Sequence, residues 1–164
     1  MPGLVPLTAL LVCAVLPAPP MANVRSTNAR LARAVREGYD RSPTFRRLVE
    51  ALERTDVILY VEPGECQCGR AAACLSLVAG GGAVRYLRAT ITLRRVDAEL
   101  VEQIGHELQH AIEIAAQSDL TTEERLAAFY RKRSTGCGPS SWCFETAAAR
   151  VAGAAVRTEI YQPK

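Results

Sequence analysis

The sequence predicts a single α+β domain in which helices pack on a small sheet of about three strands. Helical periodicity occurs before and after a central block of short apolar segments, so that helices and strands are segregated along the chain. The 164 residues suffice for one domain with its own core, and 49% are apolar while 23% are charged, as in ordinary globular proteins.

Two helices are predicted before the sheet. In the segment STNARLARAVREGY, a Ser/Thr/Asn start precedes an apolar face made of Leu31, Ala34 and Val35. The segment SPTFRRLVEALERTD has Ser42 as N-cap and Pro43 in the first turn. Its buried stripe consists of Phe45, Leu48, Val49 and Leu52.

The central block predicts the strands. Residues 57 to 62 form an almost continuously apolar run that Pro63 and Gly64 stop, which indicates a buried strand. The segment CLSLVAGGGAVRYLRATITL then predicts a strand, a glycine turn at residues 80 to 82 and a longer strand. In the longer strand one face carries Leu87, Ala89, Ile91 and Leu93, and the other carries Tyr86, Arg88, Thr90 and Thr92.

Three helices are predicted after the sheet. The first runs from Asp97, as N-cap, to about Gln117, and the second from Thr121 to about Arg133. After the loop STGCGPSSWC, the segment FETAAARVAGAAVRTEI predicts a closing helix.

The first 22 residues resemble a signal peptide, with an apolar stretch from Leu4 to Leu16 followed by prolines and small residues. This stretch is too short to span a membrane. We therefore expect export to the periplasm or the cell exterior, with residues 23 to 164 forming one domain that is not membrane-associated. A misassigned start codon and a short membrane-associated tail are the alternatives.

The charge pattern does not predict a nucleic-acid partner. The net charge is only +3 at pH 7, and lysine occurs only at Lys132 and Lys164. The arginines are distributed among glutamates on the predicted helices, which is typical of a solvated face. We expect the exported chain to be a monomer.

Cysteine spacing predicts disulfide bonds. Cys13 would leave with the signal peptide, and the cysteines that remain form two loop-like clusters: Cys66, Cys68, Cys74, Cys137 and Cys143. In an oxidising compartment we expect Cys137 to pair with Cys143. Cys74 is expected to pair with either Cys66 or Cys68, and one thiol remains unpaired. A zinc ribbon is the alternative, but CQC has one residue between its cysteines where C-x2-C is usual.

The segment GHELQHAIEI contains the only two histidines of the chain, His106 and His110. Both imidazoles project from the polar side of the predicted helix, in neighbouring turns, where a tetrahedral zinc ion could bind both. Glu107 lies about 100° round the helix, which suits a general base better than a ligand. The opposite, apolar side consists of Leu100, Val101, Ile104, Leu108, Ala111, Ile112 and Ala115.

Two solvated histidines on a surface helix are the alternative. A His-Glu-x-x-His sequence arises by chance in below about one percent of chains of this size. The context favours a metal site, because no proline interrupts the helix and a strand hairpin precedes it.

The segment IGHELQHAIEI resembles the active-site helix of zincin metallopeptidases, and its strand-then-helix setting is similar to theirs. Residues 28 to 160 also resemble small, exported, largely uncharacterised bacterial proteins that carry a GHELQHA-type helix. The zincin resemblance implies a sheet above an active-site helix, and a zinc ion held by the motif's two histidines and a third protein ligand. Carried over to this sequence, it implies that His106 and His110 bind zinc and that Glu107 is the base.

The third ligand must be a carboxylate or a water molecule, because no histidine remains. Glu145 lies at the head of the last predicted helix, and an antiparallel return of that helix would present it to the metal, as in the glutamate-ligand branch of the zincins. Its alternative role is to stabilise the helix N-terminus. Glu113 is the rival ligand, although its position favours a hydrogen bond to His110 instead. The segment TAAARV lacks the supporting aspartate of some relatives.

These features predict a zinc-dependent peptidase that acts on peptide or protein substrates. Tyr130 and Arg150 are candidate donors to the oxyanion, and residues 84 to 93 are the predicted edge strand along which a peptide would lie. The alternative is a noncatalytic secreted domain with a structural or vestigial metal site that acts by binding a partner. Glu107 favours the enzyme, because a structural zinc site needs no base and normally has four protein ligands.

Overall fold

A computed structural model describes residues 21–66, 71–133 and 145–162. The predicted α+β fold is confirmed: apart from one two-residue strand that precedes the helices, the strands lie together between two groups of helices. In chain order the elements are β1 (Val24–Arg25), α1 (Ala29–Arg41), α2 (Pro43–Leu52), β2 (Val57–Pro63), β3 (Ala73–Ala79), β4 (Arg85–Ile91), α3 (Asp97–Ala115), α4 (Glu123–Arg131) and α5 (Ala147–Tyr161).

The sheet has four strands in the order β1-β2-β4-β3, where about three were expected. The additional strand, β1, has only two residues and pairs in parallel with β2 through Val24 and Leu59. A strand this short shows no alternating pattern, which is why the sequence did not reveal it. β2 and β4 are parallel, whereas β3 and β4 form the antiparallel hairpin predicted around the glycine turn.

The strands at the two edges of the sheet are β1 and β3, so β4 is not an edge strand. β4 lies between β2 and β3, so the prediction that residues 84 to 93 form the sheet edge is wrong. The error arose because the parallel partner β2 precedes the hairpin in sequence, and a crossover pairing leaves no local signal. β4 also ends at Ile91, two residues before Leu93.

The core lies between the sheet and the helices. In β4 the predicted alternation is confirmed, because Leu87, Ala89 and Ile91 are buried while Arg88 on the other face is exposed. The apolar face of α3 packs against this side of the sheet through the buried residues Leu100, Val101, Ile104, Leu108 and Ala111. α3 is therefore held by the sheet on its apolar side and leaves its other side to the remaining helices.

The helix starts follow their caps, with one exception. The hydroxyl of Ser42 accepts a hydrogen bond from the Phe45 backbone N–H at 3.0 Å, as expected of an N-cap. Asp97 was predicted to be the N-cap of α3, but Val96 occupies that position. The Asp97 carboxylate instead accepts a hydrogen bond from Arg30 Nε at 2.8 Å. The start of α3 has no side-chain cap.

The C-terminal end of α3 is held by Arg85, which is only 2% exposed. Its Nε and Nη2 donate to the two oxygens of Asp56 at 2.8 and 2.7 Å. The remaining donors bind the carbonyl oxygens of Ile114, Ala115 and Gln117. All five guanidinium N–H groups are thus used, and the hydrogen bonds from Arg85 lower the pKa of Asp56.

α5 returns antiparallel to α3 and packs closely on it. Arg157 near the end of α5 pairs with Glu102 near the start of α3, whereas Thr146 at the other end of α5 binds Glu113. Gly105 allows the close approach, because a Cβ there would lie 2.9 Å from Val156 Cγ2.

One predicted disulfide bond is present, between Cys66 and Cys74, and it joins the segment after β2 to the edge strand β3. This selects Cys66 over Cys68 as the partner of Cys74. Cys68, Cys137 and Cys143 lie outside the described residues, as does the predicted signal peptide apart from its last two positions. Within the described residues, none of the helices combines the length and hydrophobicity needed to cross a membrane.

Candidate metal centre

The two histidines of α3 converge on one point. Their Nε2 atoms are 3.2 Å apart, and their rings meet edge to face. His110 is only 2% exposed and is therefore not a solvated surface histidine, whereas the side chain of His106 is 22% exposed. α4 and α5 cover the polar side of α3, through Tyr130 against His110 and Gly153 against His106.

Glu145 adds a third donor at this point. Its Oε1 lies 3.6 Å from His106 Nε2, and the ligand atoms of His106, His110 and Glu145 all lie within 4.8 Å of one another. Two nitrogens bound to one zinc ion at ~2.0–2.1 Å in tetrahedral geometry stand ~3.3 Å apart. The separation of the two imidazoles therefore fits a shared ion without rearrangement of α3.

Glu113 faces the other nitrogen of His110. Its Oε2 lies 3.1 Å from His110 Nδ1, in the hydrogen bond expected from the sequence. Burial would raise the pKa of Glu113, but the hydrogen bonds from His110 and Thr146 lower it, so the group is a carboxylate at neutral pH. A carboxylate at Nδ1 fixes the tautomer that leaves the lone pair on Nε2, where a metal would bind.

Glu107 follows His106 in the chain, is only 3% exposed and interacts with the charges of His110 and Glu145. Burial raises the pKa of Glu107 to about 7, an effect that the charge of His110 opposes and that of Glu145 increases. A carboxyl group with a pKa near neutrality can both accept and release a proton at pH 7, which is what a general acid and base requires.

The pKa values of the two histidines shift in opposite directions. Burial lowers the pKa of His106 to about 4, and His110 contributes further, so His106 is neutral at pH 7. Burial also acts to lower the pKa of His110, but the hydrogen bond to Glu113 and the surrounding carboxylates raise it. His106 can therefore bind a cation without losing a proton, whereas the carboxylates around His110 favour positive charge at that imidazole, whether from a proton or from a metal ion.

Tyr130 supports His110 from α4. Its hydroxyl lies 3.3 Å from both the Nδ1 atom and the backbone oxygen of His110, and burial raises its pKa. The expected role of Tyr130 as an oxyanion donor is not supported by this position, because the hydroxyl is on the Nδ1 side of the imidazole. Arg150, the other candidate, lies in the first turn of α5 and is exposed.

Burial raises the pKa of Glu145, although the charges of His110 and Arg150 oppose the shift. The carboxylate lies two residues before α5, whose N-cap is Thr146. Sequence reasoning therefore located Glu145 correctly beside the histidines but did not identify Thr146. The signal was present, since Thr146 directly precedes the helical run that begins at Ala147.

Comparison with known proteins finds no matching family model, curated protein or solved structure.

Proposed function

We propose that the chain is an exported zinc-dependent peptidase, with His106, His110 and Glu145 as ligands and Glu107 as the general base. The observation that carries the proposal is the convergence of three donors whose ligand atoms lie within 4.8 Å of one another, with the buried carboxyl of Glu107 next to His106 in the chain and interacting with the charges of His110 and Glu145. A purely structural metal site has no use for such a base.

A zinc ion bound there would polarise the scissile carbonyl and lower the pKa of a bound water molecule to near 7. Glu107 takes the proton from the attacking water and delivers it to the leaving amine. Glu113 keeps the Nδ1 proton on His110 and thereby holds the Nε2 lone pair towards the site.

The proposed substrate is a peptide that pairs with the edge strand β3. In this antiparallel strand alternate residues direct their N–H and C=O groups to the outer edge. The Leu77 N–H on that edge donates to Glu123 Oε1 at 2.6 Å, so an incoming strand would pair at the alternate positions Ala73 and Leu75. This part of β3 is next to the Cys66–Cys74 disulfide bond.

The proposal is tested by zinc content measured by mass spectrometry on the purified protein. We expect about one zinc ion per wild-type chain, and loss of the ion from the His106→Ala and Glu145→Ala variants. The matched control is Glu113→Ala, which removes a carboxylate from the same centre and should retain the ion at saturating zinc. A wild-type chain without stoichiometric zinc, or a Glu145→Ala variant that binds zinc as tightly as the wild type, would contradict the ligand assignment.

Catalysis is tested separately with Glu107→Gln. We expect this variant to retain zinc and to hydrolyse a diverse peptide library about 10²- to 10⁴-fold more slowly than the wild type. Zinc binding by the wild type without hydrolysis of any peptide would instead support the alternative, a noncatalytic domain that binds a partner.

A further inference from the structure

We infer that Thr146 is a positioning residue of the metal centre. Its hydroxyl binds the Glu113 carboxylate, which orients His110, and thereby holds the segment that carries Glu145. The inference rests on the proposed metal site, but it concerns a residue that neither binds the ion nor touches the substrate.

The Thr146 hydroxyl makes two hydrogen bonds in opposite directions. It donates to Glu113 Oε1 at 2.7 Å, and it accepts from the Ala149 backbone N–H at 3.1 Å. The residue is only 7% exposed, so water does not readily replace either bond. One hydroxyl thus caps α5 and holds a side chain of α3.

The bond from Thr146 to Glu113 connects the two ligand-bearing segments. Glu113 uses Oε1 for Thr146 and Oε2 for His110 Nδ1, at 2.7 and 3.1 Å. Glu145 is the residue immediately before Thr146 in the chain. The ligand on α3 and the ligand before α5 are therefore linked through two consecutive hydrogen bonds and one peptide unit. A shift of Thr146 would change the orientation of His110 and the position of Glu145 together.

The opposite end of α5 provides a natural control. Ser42, the fully buried N-cap of α2, likewise accepts from a backbone N–H three residues later and donates to a carboxylate, that of Glu159. Glu159 lies about 20 Å from Thr146 along α5. Ser42 thus makes the same pair of bonds, capping α2 and holding the far end of α5, at a distance from the metal centre.

The experiment compares Thr146→Val, Thr146→Ser and Ser42→Ala in the full chain. Zinc affinity is measured by competition with a chelator, the absorption spectrum of bound Co²⁺ reports ligand geometry, and thermal unfolding of the metal-free protein reports stability. We expect Thr146→Val to weaken zinc binding about 10- to 100-fold and to alter the Co²⁺ spectrum. Thr146→Ser should bind within a few-fold of the wild type, because it keeps the hydroxyl.

Ser42→Ala should lower the unfolding temperature without changing zinc affinity or the Co²⁺ spectrum. If Thr146→Val does not fold, Thr146→Ala replaces it, with the same expected loss of affinity. Wild-type affinity in the hydroxyl-free variant, or equal losses in Thr146→Val and Ser42→Ala, would overturn the positioning role. An absence of zinc binding by the wild type would overturn the proposed function itself, and that outcome is distinguishable because no variant is needed to observe it.

Discussion

Two buried polar clusters lie along α3, and they differ in the source of their positive charge. At the C-terminal end of the helix, Arg85 supplies the cation, and its five N–H groups are matched by Asp56 and three backbone carbonyls. In the middle of the helix, two imidazoles and Glu145 bring ligand atoms within 4.8 Å of one another. The first cluster is complete within the chain, whereas the second presents a donor set suited to an external cation.

Under the proposed function, the Arg85 cluster stabilises the fold and the histidine cluster binds the ion. A buried guanidinium that satisfies all its donors contributes to stability and offers nothing to a ligand. Converging imidazole and carboxylate groups differ, because a bound cation would neutralise and bridge them. Variants of the two clusters should therefore affect different measurements.

The largest effect is expected at Arg85. Arg85→Met removes five hydrogen bonds and leaves buried carbonyls at the end of α3, which should lower the free energy of unfolding by about 3 kcal/mol. The measurement is urea denaturation of the metal-free protein. Arg30→Met is the matched control, since Arg30 also binds one aspartate and two backbone carbonyls but is 38% exposed at its side chain. It should cost less than about 1 kcal/mol.

Equal losses in the two arginine variants would show that burial of Arg85 does not matter. Zinc stoichiometry should be unchanged in folded Arg85→Met, because none of the three candidate ligands contacts the guanidinium. Loss of zinc from Arg85→Met under conditions where this variant is fully folded would mean that the two clusters are not independent.

A smaller effect, on metal affinity alone, is expected from Glu113→Gln. Gln offers one acceptor oxygen where the carboxylate offers two, so it cannot accept from both His110 Nδ1 and Thr146. When its NH2 group faces Nδ1, the proton moves to Nε2, the nitrogen that must bind the ion. We expect a 10- to 100-fold weaker zinc affinity in chelator competition. The control is Glu102→Gln, which removes the same charge from α3 at a site paired with Arg157. A similar loss in both variants would indicate a general charge effect rather than control of the tautomer.

The sequence was informative where the signal was local. The i, i+4 histidines, the adjacent glutamate and the cap at Ser42 were recognisable because each pattern lies within one turn of helix. The position of β4 inside the sheet, the partner of Asp97 and the burial of Arg85 were not, because each depends on residues far away in the chain. Glu145 is intermediate: its helix was predictable, but its approach to His106 depends on the close packing of α5 on α3 at Gly105.

The smallest effect is the pH dependence contributed by Asp56. Hydrogen bonds from Arg85 lower the pKa of Asp56 below its ordinary value of 3.8, so the ionised group stabilises the fold above that value. This contribution is lost as the pH falls through the folded-state pKa. Because the Asp56 side chain is 42% exposed, solvent screening keeps the contribution below about 1 kcal/mol.

The measurement is the difference in free energy of unfolding between wild type and Asp56→Asn, followed from pH 7 to about pH 3 in the metal-free protein. We expect the difference to be largest near pH 7 and to shrink below about pH 4. The same substitution in the Arg85→Met background should show a smaller change, because the guanidinium that contributes most to lowering the pKa of Asp56 is absent. If the pH dependence is equally large without Arg85, groups other than Arg85 stabilise the ionised Asp56 carboxylate. Arg85 would then not be the main partner of Asp56.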